Sequence, residues 1–310
     1  MKVAITGASS RLGAELVSRL ESESGISQIL GIDRCEPAHR SKKFTFIRRD
    51  IRDERIRKDL QGYDAIVHLA FIIQPPLPPL KEVYSVNIDG SKNVFDCAIR
   101  ANIKKIVFAS SVAAYGSFPD NPTPLTEEHP IRLMTPEFYY NAGKFHVEKC
   151  LDALETVHSG LIVTRIRPCT ILGKVSSHLM SRRVFINPCP DVPVQFVWID
   201  DSVNAFCLAL LKDTPGAFNI AGDIPLTWRE IASLADRMAV TVPYHVAHSF
   251  AKVSYSLGLQ KRLIPGWIRM ARYPAIMDCS KAKNVLGWAP QYDTRGAVSQ
   301  FFEYDNQRVG

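Results

Sequence analysis

The sequence predicts an α/β fold built on a doubly wound parallel sheet with a smaller C-terminal substrate-binding cap. Three observations predict it. Short β-branched runs alternate with amphipathic stretches through the first half of the chain, an order that calls for parallel strands joined by right-handed crossovers. A glycine-bearing turn sits directly between the first strand-like run and the first helical one. Beyond Arg167 this rhythm weakens and prolines Pro168, Pro188, Pro190 and Pro193 break up the chain. The length of 310 residues suits one large α/β unit or two tightly joined subdomains.

The elements follow in order. Residues 2–6, Lys-Val-Ala-Ile-Thr, read as a strand, 12–20 as a helix and 28–33 as a second strand. Residues 44–48 and 64–70 are further strands, 80–101 one long helix, 104–110 a strand, 136–158 a helix and 161–167 a strand. Residues 200–212 again read as a helix and 217–221 as a strand, and 227–310 mix helices with turns. The expected division is a nucleotide-binding unit over 1–168 and roughly 196–225, with the cap built from roughly 169–195 and 226–310.

Composition narrows the class. With 46% hydrophobic and 22% charged residues, disordered and low-complexity classes are excluded. No apolar run approaches the roughly 18 residues a membrane span needs, and no signal-like segment precedes the first strand. A cytoplasmic protein with no membrane partner is the expectation. The net charge is +7, but the densest basic patch (Lys42, Lys43, Arg48, Arg49, Arg52) is interleaved with acids. That reads as a solvated surface attracting anionic ligands, not as a nucleic-acid stripe. The seven cysteines form neither Cys-x-x-Cys nor a Cys/His cluster, so free thiols in a reducing compartment and no metal site are expected. His146, His245 and His248 read as packing or surface residues.

The turn Thr6-Gly7-Ala8-Ser9-Ser10-Arg11-Leu12-Gly13 places Gly7 at a tight bend and Gly13 where helix and strand approach closely. A helix N-terminus at this point offers N–H groups and a positive dipole end to a pyrophosphate. Asp33 follows 20 residues beyond Gly13, at the end of the second strand. A carboxylate there accepts hydrogen bonds from a ribose diol and repels a 2′-phosphate, which favours NAD. Arg34 and Arg11 are cations that can pair with a 2′-phosphate, which keeps NADP open. Together these are the marks of a Rossmann-type unit.

Tyr140 and Lys144 lie four apart in Tyr-Asn-Ala-Gly-Lys and share a helix face. A nearby ammonium is expected to lower a phenol from its usual value of about 10 and suit it to general acid/base work on a carbonyl/alcohol pair. Ser110 and Ser111 end a strand where active sites collect.

In this order the motifs resemble the extended short-chain dehydrogenase/reductase family, also called the NAD-dependent epimerase/dehydratase family. The resemblance runs from residue 2 to about 290. Asp50-Ile51 resembles its adenine-contacting pair, His68-Leu69-Ala70 its turn before the nicotinamide, and Asn87-Ile88-Asp89-Gly90-Ser91 its Asn-x-x-Gly-Thr motif. Ser110 to Gly116 resembles its Ser-Ser…Tyr-Gly motif, and Tyr140, Lys144 and Glu148 its Tyr-x-x-x-Lys…Glu helix. Arg167-Pro168 through Gly173, residues 196–201, and Leu286-Gly287-Trp288-Ala289-Pro290 resemble its later motifs. The resemblance implies Ser111, Tyr140 and Lys144 as catalytic residues. It implies cofactor contacts from Gly7, Ser9, Ser10, Arg11, Leu12, Gly13, Asp33, Arg34, Asp50, Ile51, Leu69, Ala70, Phe71, Asn87, Ala109, Ser110, Tyr140, Lys144, Pro168, Thr170 and Ile171. Substrate contacts are expected from Phe71, Ile72, Gln74, Ser111, Val112 and Cys169. The resemblance also implies a homodimer paired through the helices over 80–101 and 136–158.

Three departures narrow the activity. Ser10 and Arg11 stand where branches of the family carry glycine. Val112 and Ala113 replace the Asp-Glu pair of its sugar dehydratases, and neither moves a proton. Val194-Gln195-Phe196 lacks the arginine that nucleotide-sugar members direct at the substrate diphosphate, with Arg182 and Arg183 as the substitutes nearest in sequence. The apolar, proline-rich stretch 71–79 follows the His-Leu-Ala turn; it reads either as a polyproline-like loop packed on its own core or binding a partner, or as an apolar pocket wall that suits a small, fairly apolar carbonyl or alcohol. A dehydrogenase/reductase is therefore expected, with a sugar epimerase as the alternative and a non-catalytic nucleotide-binding redox sensor third.

Overall fold

The computed structural model describes residues 1–38, 41–73, 77–136, 138–174 and 184–309. Gln74, Arg182 and Arg183 lie outside them. Seven strands form one parallel sheet: β1 (Lys2–Thr6), β2 (Gln28–Asp33), β3 (Phe44–Arg48), β4 (Ala65–His68), β5 (Lys105–Ala109), β6 (Ile162–Pro168) and β11 (Gly216–Ile220). Their spatial order is β3-β2-β1-β4-β5-β6-β11, with every neighbouring pair parallel. The chain runs outward from β1 to β3 and then crosses back to β4. The order therefore reverses between β1 and β4, and a crevice opens at the carboxyl ends of those strands.

Helices cover both faces. On one lie α1 (Arg11–Glu21), α6 (Ile199–Leu211) and α10 (Thr294–Val309); Leu16, Val17 and Leu20 of α1 share a core with Val203, Phe206 and Leu210 of α6 and with Phe301. On the other lie α2 (Ile56–Asp59), α4 (Ser91–Arg100) and α5 (Tyr139–Val157), packing Ile56, Val94, Phe95, Val147 and Leu151 against Ile66 and Ile106. Each fully buried side chain of this size contributes roughly 1.5–3 kcal/mol, so both faces are held by ordinary apolar burial. α3 (Leu80–Tyr84) precedes α4.

Three two-stranded pairings lie outside the main sheet. β7 (Thr170–Leu172) pairs with β10 (Phe196–Trp198), β9 (Pro193–Val194) with β12 (Leu226–Thr227), and β8 (Val184–Asn187) with β13 (Met238–Thr241). The helices α7 (Trp228–Leu234), α8 (Tyr244–Ser256) and α9 (Pro265–Met270) complete the C-terminal region.

The seven sheet strands fall within a residue or two of their expected bounds, but the single helix expected over 80–101 does not form. α3 and α4 are separated by a π-helical turn, Ser85–Gly90. The wider turn carries Asn87, whose side chain bridges another segment, and Gly90, where a Cβ would meet the Ile51 side chain at 2.7 Å. π-turns of this kind recur at functional sites. α5 also starts later than expected, at Tyr139, with no side-chain cap from Phe138.

Candidate active site

The glycine turn is built by close contacts. Gly7 has φ of 72°, and a Cβ on it would lie 2.7 Å from the Ala70 nitrogen. A Cβ on Gly13 would lie 2.3 Å from the Gly7 oxygen. No side chain fits either place, so α1 and the end of β1 meet through bare backbone. Ser10, where the family's pattern has glycine, serves the turn differently. Its Oγ donates to the Gly7 oxygen at 2.6 Å and accepts from the Gly13 nitrogen at 3.1 Å, capping α1. Arg11 turns its guanidinium toward Gly173, where a Cβ would lie 2.1 Å from Nη2.

Asp33 ends β2 beside this turn. Its carboxylate accepts from the backbone N–H of Ser9 at 3.0 Å, Arg34 at 2.6 Å and Cys35 at 3.2 Å. These bonds fix the carboxylate's orientation. The Arg34 guanidinium lies 3.9 Å from Asp50. Asp50 is chelated by Arg52 at 2.7 and 2.9 Å, which holds its carboxyl below the usual carboxylate range.

At the end of β4, His68 is fully enclosed. The Ser91 hydroxyl donates to the Asn87 carbonyl at 2.6 Å, so its oxygen accepts from His68 Nε2–H at 2.8 Å. Nδ1 then accepts from the Thr6 hydroxyl at 2.6 Å. Burial pushes the imidazole down to about 3, and it stays neutral. Asn87 binds the segment after the turn, its Oδ1 accepting from Ile72 N at 2.7 Å and its Nδ2 donating to Ile72 O at 3.0 Å. This double bond places Phe71 and Ile72 beside α5.

Ser111, Tyr140 and Lys144 come together at the carboxyl end of β5. Ser111 caps a short 3₁₀ turn, Val112–Tyr115, by accepting from Ala113 N at 3.2 Å. That leaves its hydroxyl proton on the side of the Tyr140 phenol, whose pKa the Ser111 side chain lowers. Lys144 Nζ donates to the Ala109 oxygen at 2.6 Å and stands 3.6 Å above the Phe71 ring. Ser110 turns away from this group. Its hydroxyl donates to Glu148, which also takes a bidentate pair from Arg167 at 2.9 and 2.5 Å. Arg167 continues to the Tyr115 oxygen at 2.8 Å, and Tyr115 to Asn219 at 2.8 Å. This buried charge pair braces α5 against β6 and β11.

The electrostatics correct one expectation. The ammonium does not lower the Tyr140 phenol. Burial raises it above its ordinary value, and the nearby Ser111 side chain offsets this only in part. Burial also pushes Lys144 down to about 7. Both groups are sealed under aromatic and aliphatic side chains, where either charged form is disfavoured.

Several site residues were not visible in the sequence. Trp267 of α9 lies with its ring centroid 5.0 Å from that of Tyr140 and 5.2 Å from that of Phe138. Phe71 meets Tyr140 edge-on at 6.0 Å. With Met134 and Ile264 these form one apolar cluster around the phenol. Asn141 pins the start of α5, accepting from Met134 N and donating to Ala113 O at 2.7 Å each, and to Arg132 O at 2.9 Å. The Tyr139 hydroxyl donates to the Ile73 carbonyl. Asn141 and Tyr139 sit inside the motif that drew attention to Tyr140, whereas Trp267 is 127 residues downstream with no local signal.

Of the remaining expected contacts, Ile51 and Leu69 are buried, Ala70 is partly exposed, and Pro168 ends β6. Thr170 is exposed and Ile171 half-buried on β7. Val112 packs against the main core. Cys169 belongs to that core too and lies beside Cys279; burial raises its thiol well above the usual range, so it is no nucleophile. Gln195 is buried and bonds Met277 N at 2.8 Å and Gly222 O at 3.2 Å. Asp201 and Trp288, from two separate motifs, meet directly: the indole donates to the Asp201 carbonyl at 2.8 Å, and the carboxylate accepts from Gln291 N at 2.8 Å. No cluster of metal-ligating side chains occurs among the described residues.

A parallel sheet reversing at β1/β4, a glycine turn too tight for side chains, and a Ser-Tyr-Lys group at the strand ends define a dinucleotide-binding α/β enzyme. The chain belongs to the NAD-dependent epimerase/dehydratase family, whose model matches residues 3–221. It is 26% identical to the UDP-glucose 4-epimerase of Mycolicibacterium smegmatis, over 98% of this chain and 98% of that protein. It is 25% identical to an uncharacterized protein of Mycobacterium tuberculosis, over 97% of this chain and 83% of the relative. Among solved structures it resembles MoeE5 in complex with UDP-glucose and NAD, with a TM-score of 0.78 and 18% identity over the whole of both chains.

Proposed function

We propose that the protein is an NAD-dependent oxidoreductase of the extended short-chain type that moves a hydride between nicotinamide and a small, fairly apolar carbonyl/alcohol substrate. The observation that carries this is the setting of Tyr140. The phenol sits within the apolar cluster of Phe71, Met134, Phe138, Ile264 and Trp267, a lining suited to apolar ligands. Val194 stands where nucleotide-sugar members carry an arginine, and Gln195 is committed to backbone groups.

The chain fits a dinucleotide. Gly7 and Gly13 let the backbone of β1, the turn and α1 close up with no side chain between them, which brings the positive end of α1 to the carboxyl edge of the sheet. Asp33 suits the adenosine ribose, Asp50 and Ile51 the adenine side, and Lys144 the nicotinamide end, whereas the buried Asn87 amide, expected as a cofactor contact, is committed to Ile72. When bound, NAD supplies the acceptor or donor of hydride. The protein's own part is proton transfer and orientation. In reduction the neutral Tyr140 phenol gives its proton to the substrate carbonyl oxygen as the hydride reaches the carbon, and the phenolate left behind takes a proton back from solvent; oxidation runs the reverse, starting from the phenolate. Ser111 holds the substrate oxygen and Lys144 orients the ribose. Residues 169–195 and 226–310 form the substrate cap in this reading. The seven cysteines are all free, which supports a reducing, cytoplasmic setting. A homodimer paired through α4 and α5 belongs to the same reading.

A second reading, an NAD-dependent nucleotide-sugar epimerase, is favoured by the relative named UDP-glucose 4-epimerase, which matches along the full chain. It would use the same three residues.

Tyr140→Phe tests the proton-transfer role. Turnover with a panel of apolar secondary alcohols should fall at least about 100-fold, while NAD affinity by calorimetry stays within about twofold. Turnover equal to wild type would remove Tyr140 from the chemistry.

A further inference from the structure

One surface of the molecule is built unlike the rest. Among the described residues, fourteen large apolar side chains are exposed, and eight of them fall between Met238 and Leu263. On α8 and its C-cap they form a stripe, Val246, Phe250, Val253 and Leu257, spaced four, three and four apart, so all four lie within one narrow arc of the helix. Phe250 is 64% exposed and Leu257 66%. Ala251 and Ser254, to one side of the stripe, are the buried residues of α8. Leu259 and Leu263 extend the stripe beyond the helix and are also exposed.

The charges around this stripe have one sign. From Met238 to Met277 the chain contains no aspartate or glutamate, yet it carries Lys252, Lys261, Arg262, Arg269 and Arg272. All five are exposed, and no ion pair is described for any of them among the described residues, whereas Arg49, Arg52, Arg55, Arg132, Arg165 and Arg167 are all paired. A helix with a projecting apolar stripe and flanking cations has the character of an interfacial helix, whose apolar face enters the acyl boundary while its cations meet anionic headgroups. A second copy of the chain is a poor occupant, because a two-fold contact would set this acid-free, cationic segment against itself.

We infer that α8 and the segment through Arg272 seat the protein peripherally on an anionic lipid bilayer. This departs from the expectation of no membrane partner and needs no spanning helix, and none is long and apolar enough to cross among the described residues. α8 packs on α9, and α9 carries Trp267 against Tyr140. The seat therefore places the apolar cluster around the phenol next to the lipid.

The test is co-sedimentation of the purified full chain with vesicles of phosphatidylcholine containing about 30% phosphatidylglycerol, beside vesicles of phosphatidylcholine alone. The wild type should pellet with the anionic vesicles, weaken as salt is raised, and stay in solution with the neutral ones. F250S/V253S/L257S and K252Q/K261Q/R262Q should each bind at least about tenfold more weakly, with thermal unfolding and NAD binding unchanged, since these side chains are exposed. Wild type that stays in solution with anionic vesicles overturns the inference. So does serine-triple binding equal to wild type, which would show charge attraction alone. Light scattering in which the serine triple splits an oligomer, with no vesicle binding by wild type, would assign the face to a second copy and overturn it as well.

Discussion

At the scale of single residues, Asp33 is a carboxylate held in one orientation. Its two oxygens are fixed by three backbone N–H groups from the glycine turn and from the residues after β2. A carboxylate held this way offers its remaining lone pairs to a diol and a fixed negative charge to a phosphate. Asp33→Ala should weaken NAD about 10- to 100-fold, the worth of hydrogen bonds to a charged group, and weaken NADP less. Equal weakening of both in a calorimetric titration would contradict the ribose assignment. Asp33 was legible because its place follows from chain order: strand, turn, helix, strand end. The protonation of Tyr140 and Lys144 was not. The spacing of the pair gave their shared face, but whether each favours its charged form depends on Phe71, Phe108 and Trp267 closing over them. Those contacts are tertiary, and they reverse the expected direction for the phenol.

At the scale of elements, the strands were legible because buried parallel strands are short runs of β-branched and apolar residues. The π-turn at Ser85–Gly90 was not, because an amphipathic pattern continues through it and no proline or cap marks it. Its use emerges only when Asn87 is seen bonding Ile72 and when Ser91 is seen bonding His68. His68 ties β4 to β1 through Thr6 and to α4 through Ser91, so its charge state bears on how these elements pack. Its folded value of about 3 lies below the ordinary 6.5. Between those values the unfolded chain binds the extra proton, so the stability His68 contributes is full above about pH 6.5 and is lost as pH falls toward 3. Urea unfolding should therefore show His68→Gln less stable than wild type at neutral pH but with a shallower decline toward about pH 5. Parallel declines would mean that His68 is not the titrating group.

At the scale of the whole molecule, the C-terminal region meets the carboxyl edge of the sheet where Trp267 of α9 lies against Tyr140. The later motifs, which read as family markers in the sequence, prove to be joints of this assembly. Trp288 is bonded to Asp201, and Gln195 ties Met277 to Gly222. The strand-to-helix run ending at Asp201 and the Leu-Gly-Trp-Ala-Pro segment therefore hold the two parts together and do not touch the Tyr140 group. The parts of the site drawn from the first 170 residues were legible, since chain order alone brings strand ends together in a parallel sheet. The aromatic roof was not, because α9 reaches Tyr140 only through the path of the C-terminal region.

The proposed dehydrogenase needs an NAD site that exchanges its cofactor between turnovers. It is best tested by identifying the nucleotide released when the purified protein is denatured with no cofactor added. Far less than one nucleotide per chain should appear, and added NAD should bind reversibly and more tightly than NADP. Near-stoichiometric retained NAD would contradict this reading and turn it to an epimerase, whose cycle returns its hydride and never needs to release the cofactor.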